Sequence, residues 1–156
     1  MKGLIGAVLA VVLLIIIMYL NKPPPLLTAL KERYDRLLWI LNTDPDLDPR
    51  WNPIKRRVII TAMNEWNKSK GAIGFNVNKG YEIYICMDMD PSINPETRIN
   101  TAMHVLIHEL CHTSVTEYEH SSNFWKNFRD FKDYCSKKGL YTLGNVGPYC
   151  GEDIKA

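Results

Sequence analysis

No excess of either charge runs through this sequence: 19 Lys and Arg stand against 17 Asp and Glu, a formal net charge of +2. A balance so even offers no broad positive surface, and nucleic acid is not an expected partner. Cysteine is scarce, with 4 residues and no CxxC pair or zinc-ribbon spacing, which excludes the common closed zinc modules. Internal repeats are missing, and the only low-complexity tract is Pro23-Pro24-Pro25, so neither a solenoid nor a fibrous or disordered chain is expected. Histidine is equally sparse. Its 4 residues all fall between His104 and His120.

Charge is absent altogether from Gly3 to Leu20, GLIGAVLAVVLLIIIMYL. As a helix that run spans ~27 Å, close to the hydrocarbon thickness of a bilayer. A signal peptide would have a shorter apolar region and a small-x-small cleavage site, whereas this run ends in Met18-Tyr19-Leu20. A transmembrane anchor over residues 1–20 is the expectation, with membrane lipid as its partner. Lys22, Lys31, Arg33 and Arg36 follow it and only Lys2 precedes it, which favours a cytoplasmic carboxy-terminal domain.

Residues 21–53 read as a proline spacer, a membrane-proximal helix and a loop, and residues 54–156 as the functional domain. Leu27, Leu30, Tyr34, Leu37, Leu38 and Leu41 repeat at helical spacing, and the loop TDPDLDPRWNP follows. Val58, Ile59, Ala62, Met63 and Trp66 predict a second amphipathic helix, although the β-branched run at Val58 leaves a strand open. Ile73, Phe75 and Val77 alternate, Asn78-Lys79-Gly80 turns, and Ile83, Ile85 and Met87 alternate again, as in a β-hairpin. Its strand Tyr81–Met87 is a possible edge for a peptide. Cys86 and Cys111 fall in apolar patterns as buried thiols, while Cys135 and Cys150 could bridge in an oxidising space.

Asn94-Pro95 opens the next helix as N-cap and first residue. Ile99, Ala102, Met103, Leu106, Ile107 and Leu110 form its apolar stripe. With His108 at zero on a helical wheel, His104 and His112 fall at about −40° and +40°, opposite that stripe. Two imidazoles four residues apart stand one turn from each other and can chelate one ion. The run His108-Glu109-Leu110-Cys111-His112 is therefore an HExxH arrangement: two zinc ligands with Glu109 as general base. His120, just past a short polar turn, is the natural third ligand, and three nitrogens leave an open, catalytic type of site. His104 could rival His112, and Glu117 or Glu119 could replace His120. Ser121-Ser122 would cap a last helix whose buried side carries Phe124, Trp125, Phe128, Phe131 and Cys135. Lys137-Lys138-Gly139 would end it.

The stretch HELCHTSVTEYEHSSNFW resembles the minimal zincins of the WLM and SprT-like type, with HExxH, a short turn, and a histidine followed closely by Phe-Trp. The similarity covers about Gly71 to Lys137. It implies zinc on His108, His112 and His120, water activation by Glu109, and an α+β fold with a short β-sheet beside an HExxH active-site helix. The turn before His120 is longer than in the shortest relatives. The anchor is unlike relatives that act on DNA-bound proteins, so that substrate is not carried over. Anchored small zincins of this look also occur among large DNA viruses, which makes a viral membrane one expected location.

The reading is thus an N-terminal transmembrane helix followed by a small zincin-like domain, a zinc metallopeptidase acting on a protein or peptide. Tyr118, Tyr141 and Tyr149 are candidates to steady an oxyanion. A catalytically inactive zinc-stabilised binding module is the alternative, and a membrane protein whose histidines merely face water is a third.

Overall fold

The computed structural model describes residues 2–68, 71–117 and 119–154, with the side chains of residues 2–5 and of Glu65 left aside. Helix α1 covers Lys2–Leu20 and α2 covers Pro25–Thr43. A 3-10 turn follows at Pro49–Lys55, where the sequence pattern had left irregular loop. Then come strand β1 (Ile59–Ala62), the short helix α3 (Glu65–Lys68), the strands β2 (Gly74–Val77) and β3 (Glu82–Ile85), and the helices α4 (Pro95–Thr113) and α5 (Ser122–Lys137). The result is a small α+β domain.

The expected helix over Val58–Trp66 instead begins as strand β1, and only Glu65 and Trp66 are helical. The β-branched residues there prefer the pleat, and Ile60 packs its side chain into the core opposite Ile83 of β3. The sheet order is β1-β3-β2, with β1 parallel and β2 antiparallel to β3. The hairpin falls where its turn residues put it, with Asn78, Lys79 and Gly80 all at positive φ. β3 is the central strand, paired on both sides, so it is not the open edge that Tyr81–Met87 suggested; β2 is an edge. Register also assigns the faces. Gly74 and Asn76 lie opposite the buried Ile85 and Ile83, while Phe75 stacks on Tyr84 on the other face at 4.7 Å.

Helix α4 starts where Asn94 accepts the Glu96 N–H at 2.8 Å, with Pro95 in the first turn. It lies at the centre of the domain, against β2 and β3 on one side and α2 and α5 on the others. α5 begins at Ser121, whose hydroxyl accepts the Phe124 N–H at 3.1 Å, and ends with Gly139 at φ +69. Phe124, Phe128 and Phe131 on its inner face are buried, the first two against the α4 histidines and the third against Trp51, each stabilising the fold by roughly 1.5–3 kcal/mol.

The apolar face of α2 belongs to this same core: Leu30, Leu37 and Leu41 are fully enclosed. Tyr34 fastens α2 to the sheet. Its hydroxyl accepts the buried Val58 N–H at 2.8 Å, so Tyr34→Phe strands that donor. The expected cost is about 1–3 kcal/mol in denaturant unfolding at unchanged slope; a loss below about 0.3 kcal/mol would show that water replaces the phenol.

The apolar side chains from Gly6 to Leu20 are exposed and join no core. Among the described residues no single helix is long and apolar enough to cross a membrane. α1 and α2 pass that test only as a pair bent by 71°, and α2 turns its apolar face to the domain. The first residues of the anchor expected over 1–20 lie outside the described side chains.

Candidate metal centre

Three imidazoles meet at the carboxy-terminal end of α4. His108 and His112 come from successive turns, and His120 arrives from the loop just before α5. Their Nε2 atoms form a triangle: 2.9 Å between His108 and His120, 3.3 Å between His108 and His112, and 3.2 Å between His112 and His120. Nitrogens ~2.0–2.1 Å from a tetrahedral zinc stand roughly 3.3 Å apart, so the donor set fits that ion. Burial pushes the His108 imidazole down to about 3, with His112, His120 and His104 adding to the effect. Burial likewise lowers His112. Both rings are therefore neutral near pH 7, the state a metal needs. The cluster is able to hold a cation.

Aromatic packing fixes these rings. Phe124 lies beneath all three, stacked on His112 at 4.4 Å and in contact with His108 and His120 at 4.9 and 4.8 Å. Trp125 stacks on His120 at 5.3 Å. Expected in the core, Trp125 is instead 42% exposed, because α5 turns it outward beside the exposed third histidine. The Ser121 cap and the Lys79 ammonium, which donates to the Thr116 carbonyl at 2.6 Å, brace the loop that carries His120.

Glu109 sits on the sheet side of the same helix, lining one cavity of about 630 Å³ together with His108, His112 and His120. Its carboxyl is pushed up to about 7 by burial alone. β2 leaves it room, since a Cβ on Gly74 would stand 3.2 Å from Glu109 Oε1 and 2.7 Å from Val105 Cγ1. Asn76 donates to the Glu109 backbone carbonyl at 3.0 Å, and its own amide oxygen accepts the Gly80 N–H at 2.6 Å. One side chain thus ties the hairpin turn to the stretch of helix that carries Glu109. Neither Gly74 nor Asn76 stood out in the sequence. The available signal was a small and a polar residue at the strand positions facing the core.

The other sequence candidates fall outside the triangle. His104 is not on an open face: α5 covers it, Phe128 meets it edge-on, and its Nδ1 pairs with the Tyr141 hydroxyl at 2.8 Å. Burial pushes it down to about 4. Glu117 lines the cavity but is bonded to Thr116 and Asn123, and neither it nor Glu119 joins the histidine cluster. Tyr149 is fully buried and donates to the Cys86 carbonyl, and Tyr141 is bound to His104, so neither phenol is free to face a substrate. Tyr118 lies outside the described residues. The cysteines also pair differently from expectation. Cys86 is bonded to Cys150, while Cys111 and Cys135 are buried free thiols. The tail folds back to the end of β3, a long-range placement that no spacing reveals.

Among known families, the WLM domain matches this chain over residues 54–146. No curated protein and no solved structure matches it.

Proposed function

Since the chain belongs to the WLM family, which is zinc-associated and metallopeptidase-like, we propose that it is a zinc-dependent peptidase. The observation that carries this reading is the Nε2 triangle of His108, His112 and His120 opening into the cavity that Glu109 lines. Those three histidines would hold the metal, and zinc, when bound, supplies a Lewis acid that lowers the pKa of water to about 7. Glu109, ionised, takes the proton of the attacking water and delivers it to the leaving amine. Among the described residues β2 is the sheet edge that borders the cleft, so an extended peptide is taken to add there as a further strand. The test is a peptide-library cleavage screen of the purified protein, with chelation and zinc restoration as controls. Cuts that vanish with chelator and return with zinc are expected; no cut at all would leave a zinc-stabilised binding module.

The pH dependence follows from Glu109. A base must be ionised, so activity falls on the acid side. Burial alone puts its pKa at about 7 against an ordinary 4.5, and a nearby cation draws it back down. The acid limb of kcat/KM is expected between those values. A limb centred above about 7.5 would assign it to another group.

The apolar helix is proposed as a single-pass anchor, with the domain on the cytoplasmic side by its flanking charge. On that side the Cys86–Cys150 bond needs an oxidant of its own, because cytosolic thiols are kept reduced. Protease accessibility in sealed vesicles decides the side: digestion without detergent would place the domain on the outer face.

A further inference from the structure

The end of the chain returns to the cleft. Beyond α5, Asn100 of α4 holds the tail through the carbonyls of Thr142 and Asn145, at 2.9 and 2.6 Å, and the Thr101 hydroxyl accepts the Gly147 N–H at 3.1 Å. Tyr149 and Glu152 then exchange two backbone hydrogen bonds of 2.9 Å around a tight turn, with Cys150 at φ +51 and Gly151 at φ +84. The disulfide fixes that turn to the end of β3. Two residues after Glu152, Ile154 lies partly buried against the core. It borders both the cavity of about 630 Å³ that holds Glu109 and a neighbouring one of about 490 Å³ that reaches Trp125 and Phe128. His104 and His108 border both as well, so Ile154 stands where two halves of one cleft meet beside a metal ligand.

We infer that Ile154 is a specificity-determining residue, which with Ile73 and Phe128 forms an apolar subsite for an aliphatic side chain of the peptide, and that the Cys86–Cys150 bond positions it. The inference rests on the peptidase reading. Three apolar walls favour a hydrocarbon side chain and offer no partner to an acidic one. Glu152 and Asp153 border the same cavity, and their carboxylates repel an acidic side chain further. Among the described residues the tail supplies this wall, and the cross-link holds it together with the Tyr149 hydroxyl, which donates to the Cys86 carbonyl beside it.

The test uses the full zinc-loaded chain in detergent and peptides identical except for Leu or Asp at each position in turn. One position is expected to prefer Leu by at least ~10-fold in kcat/KM, the discrimination an apolar pocket achieves. Ile154→Asp raises KM for the Leu peptide ~10-fold with kcat within about twofold and zinc content unchanged, while Ile154→Val stays near the parent. The double variant Cys86→Ser/Cys150→Ser shifts KM in the same direction. An unchanged KM in Ile154→Asp overturns the inference. So does a lowered KM, which would make the tail a plug instead of a wall. Equilibrium binding of the same peptides to the zinc-loaded Glu109→Gln variant is read in parallel. Leu-selective binding that Ile154→Asp abolishes supports the subsite even where the parent cuts nothing, and so separates it from the peptidase reading. Absence of any peptide binding overturns it.

Discussion

Glu109→Gln is expected to leave metal binding intact and to remove the proposed hydrolysis. The amide has nearly the shape of the carboxyl, so it fits the space beside Gly74 that admits no extra carbon. It cannot accept a proton at neutral pH, and losing a positioned general base costs about 10²–10⁴-fold in rate. Folding is not the cause of the loss, and the sign of the pKa shift shows why. Burial raises the Glu109 pKa from 4.5 to about 7. The stability linked to its proton is therefore complete below pH 4.5 and is lost as pH rises through about 7. Glutamine carries no such charge, so at pH 8 the metal-free variant melts at or above the parent's temperature. The measurements are zinc content, kcat/KM and melting temperature at that pH. Parent-like cleavage by the variant would remove Glu109 from the mechanism.

His120→Ala abolishes tight zinc binding with little damage to the apoprotein. His120 is exposed and contributes one corner of the nitrogen triangle, so its loss empties a coordination position without opening a core cavity. Affinity is expected to fall by more than ~100-fold, beyond the 10–100-fold typical of losing a residue that merely supports a ligand. At a free zinc concentration of about 100 times its Kd, the parent gains ~2.7 kcal/mol, roughly 5–10 °C in Tm for a chain of this size. The variant shows no such rise. His104→Ala is the control: its Nδ1 pairs with Tyr141 and it lies outside the triangle, so zinc stoichiometry stays that of the parent. Unchanged zinc affinity in His120→Ala would assign the third position to another donor.

Much of the candidate site could be read along the chain because its determinants are local. Asn94-Pro95 sets the start of α4, Ser121 sets the start of α5, and the four-residue spacing of His108 and His112 stacks two rings whatever lies around them. The hairpin is equally local, fixed by three turn residues with positive φ. Periodicity failed where a helix or strand has more than one covered side. The wheel put His104 away from the apolar stripe, yet α5 covers that side and leaves it 6% exposed; Glu109, also 6% exposed, is covered by β2. Trp125 failed in the opposite sense, an aromatic at core spacing that faces outward against His120. Strand β1 was read chiefly as helix, because a four-residue segment carries too little pattern to decide.

By itself the sequence determined which residues form α4 and α5, where the hairpin turns, and that two histidines and a glutamate share one helical stretch. Each of these rests on interactions among near neighbours: caps, spacing and turn chemistry. Only the tertiary structure decided that His120 closes the triangle, that Gly74 leaves room for Glu109 while Asn76 holds its backbone, that Cys86 pairs with Cys150, and that Ile154 borders the cleft. Those contacts join segments far apart in the chain. Their partners are chosen by which surfaces pack together, and that choice belongs to the whole fold.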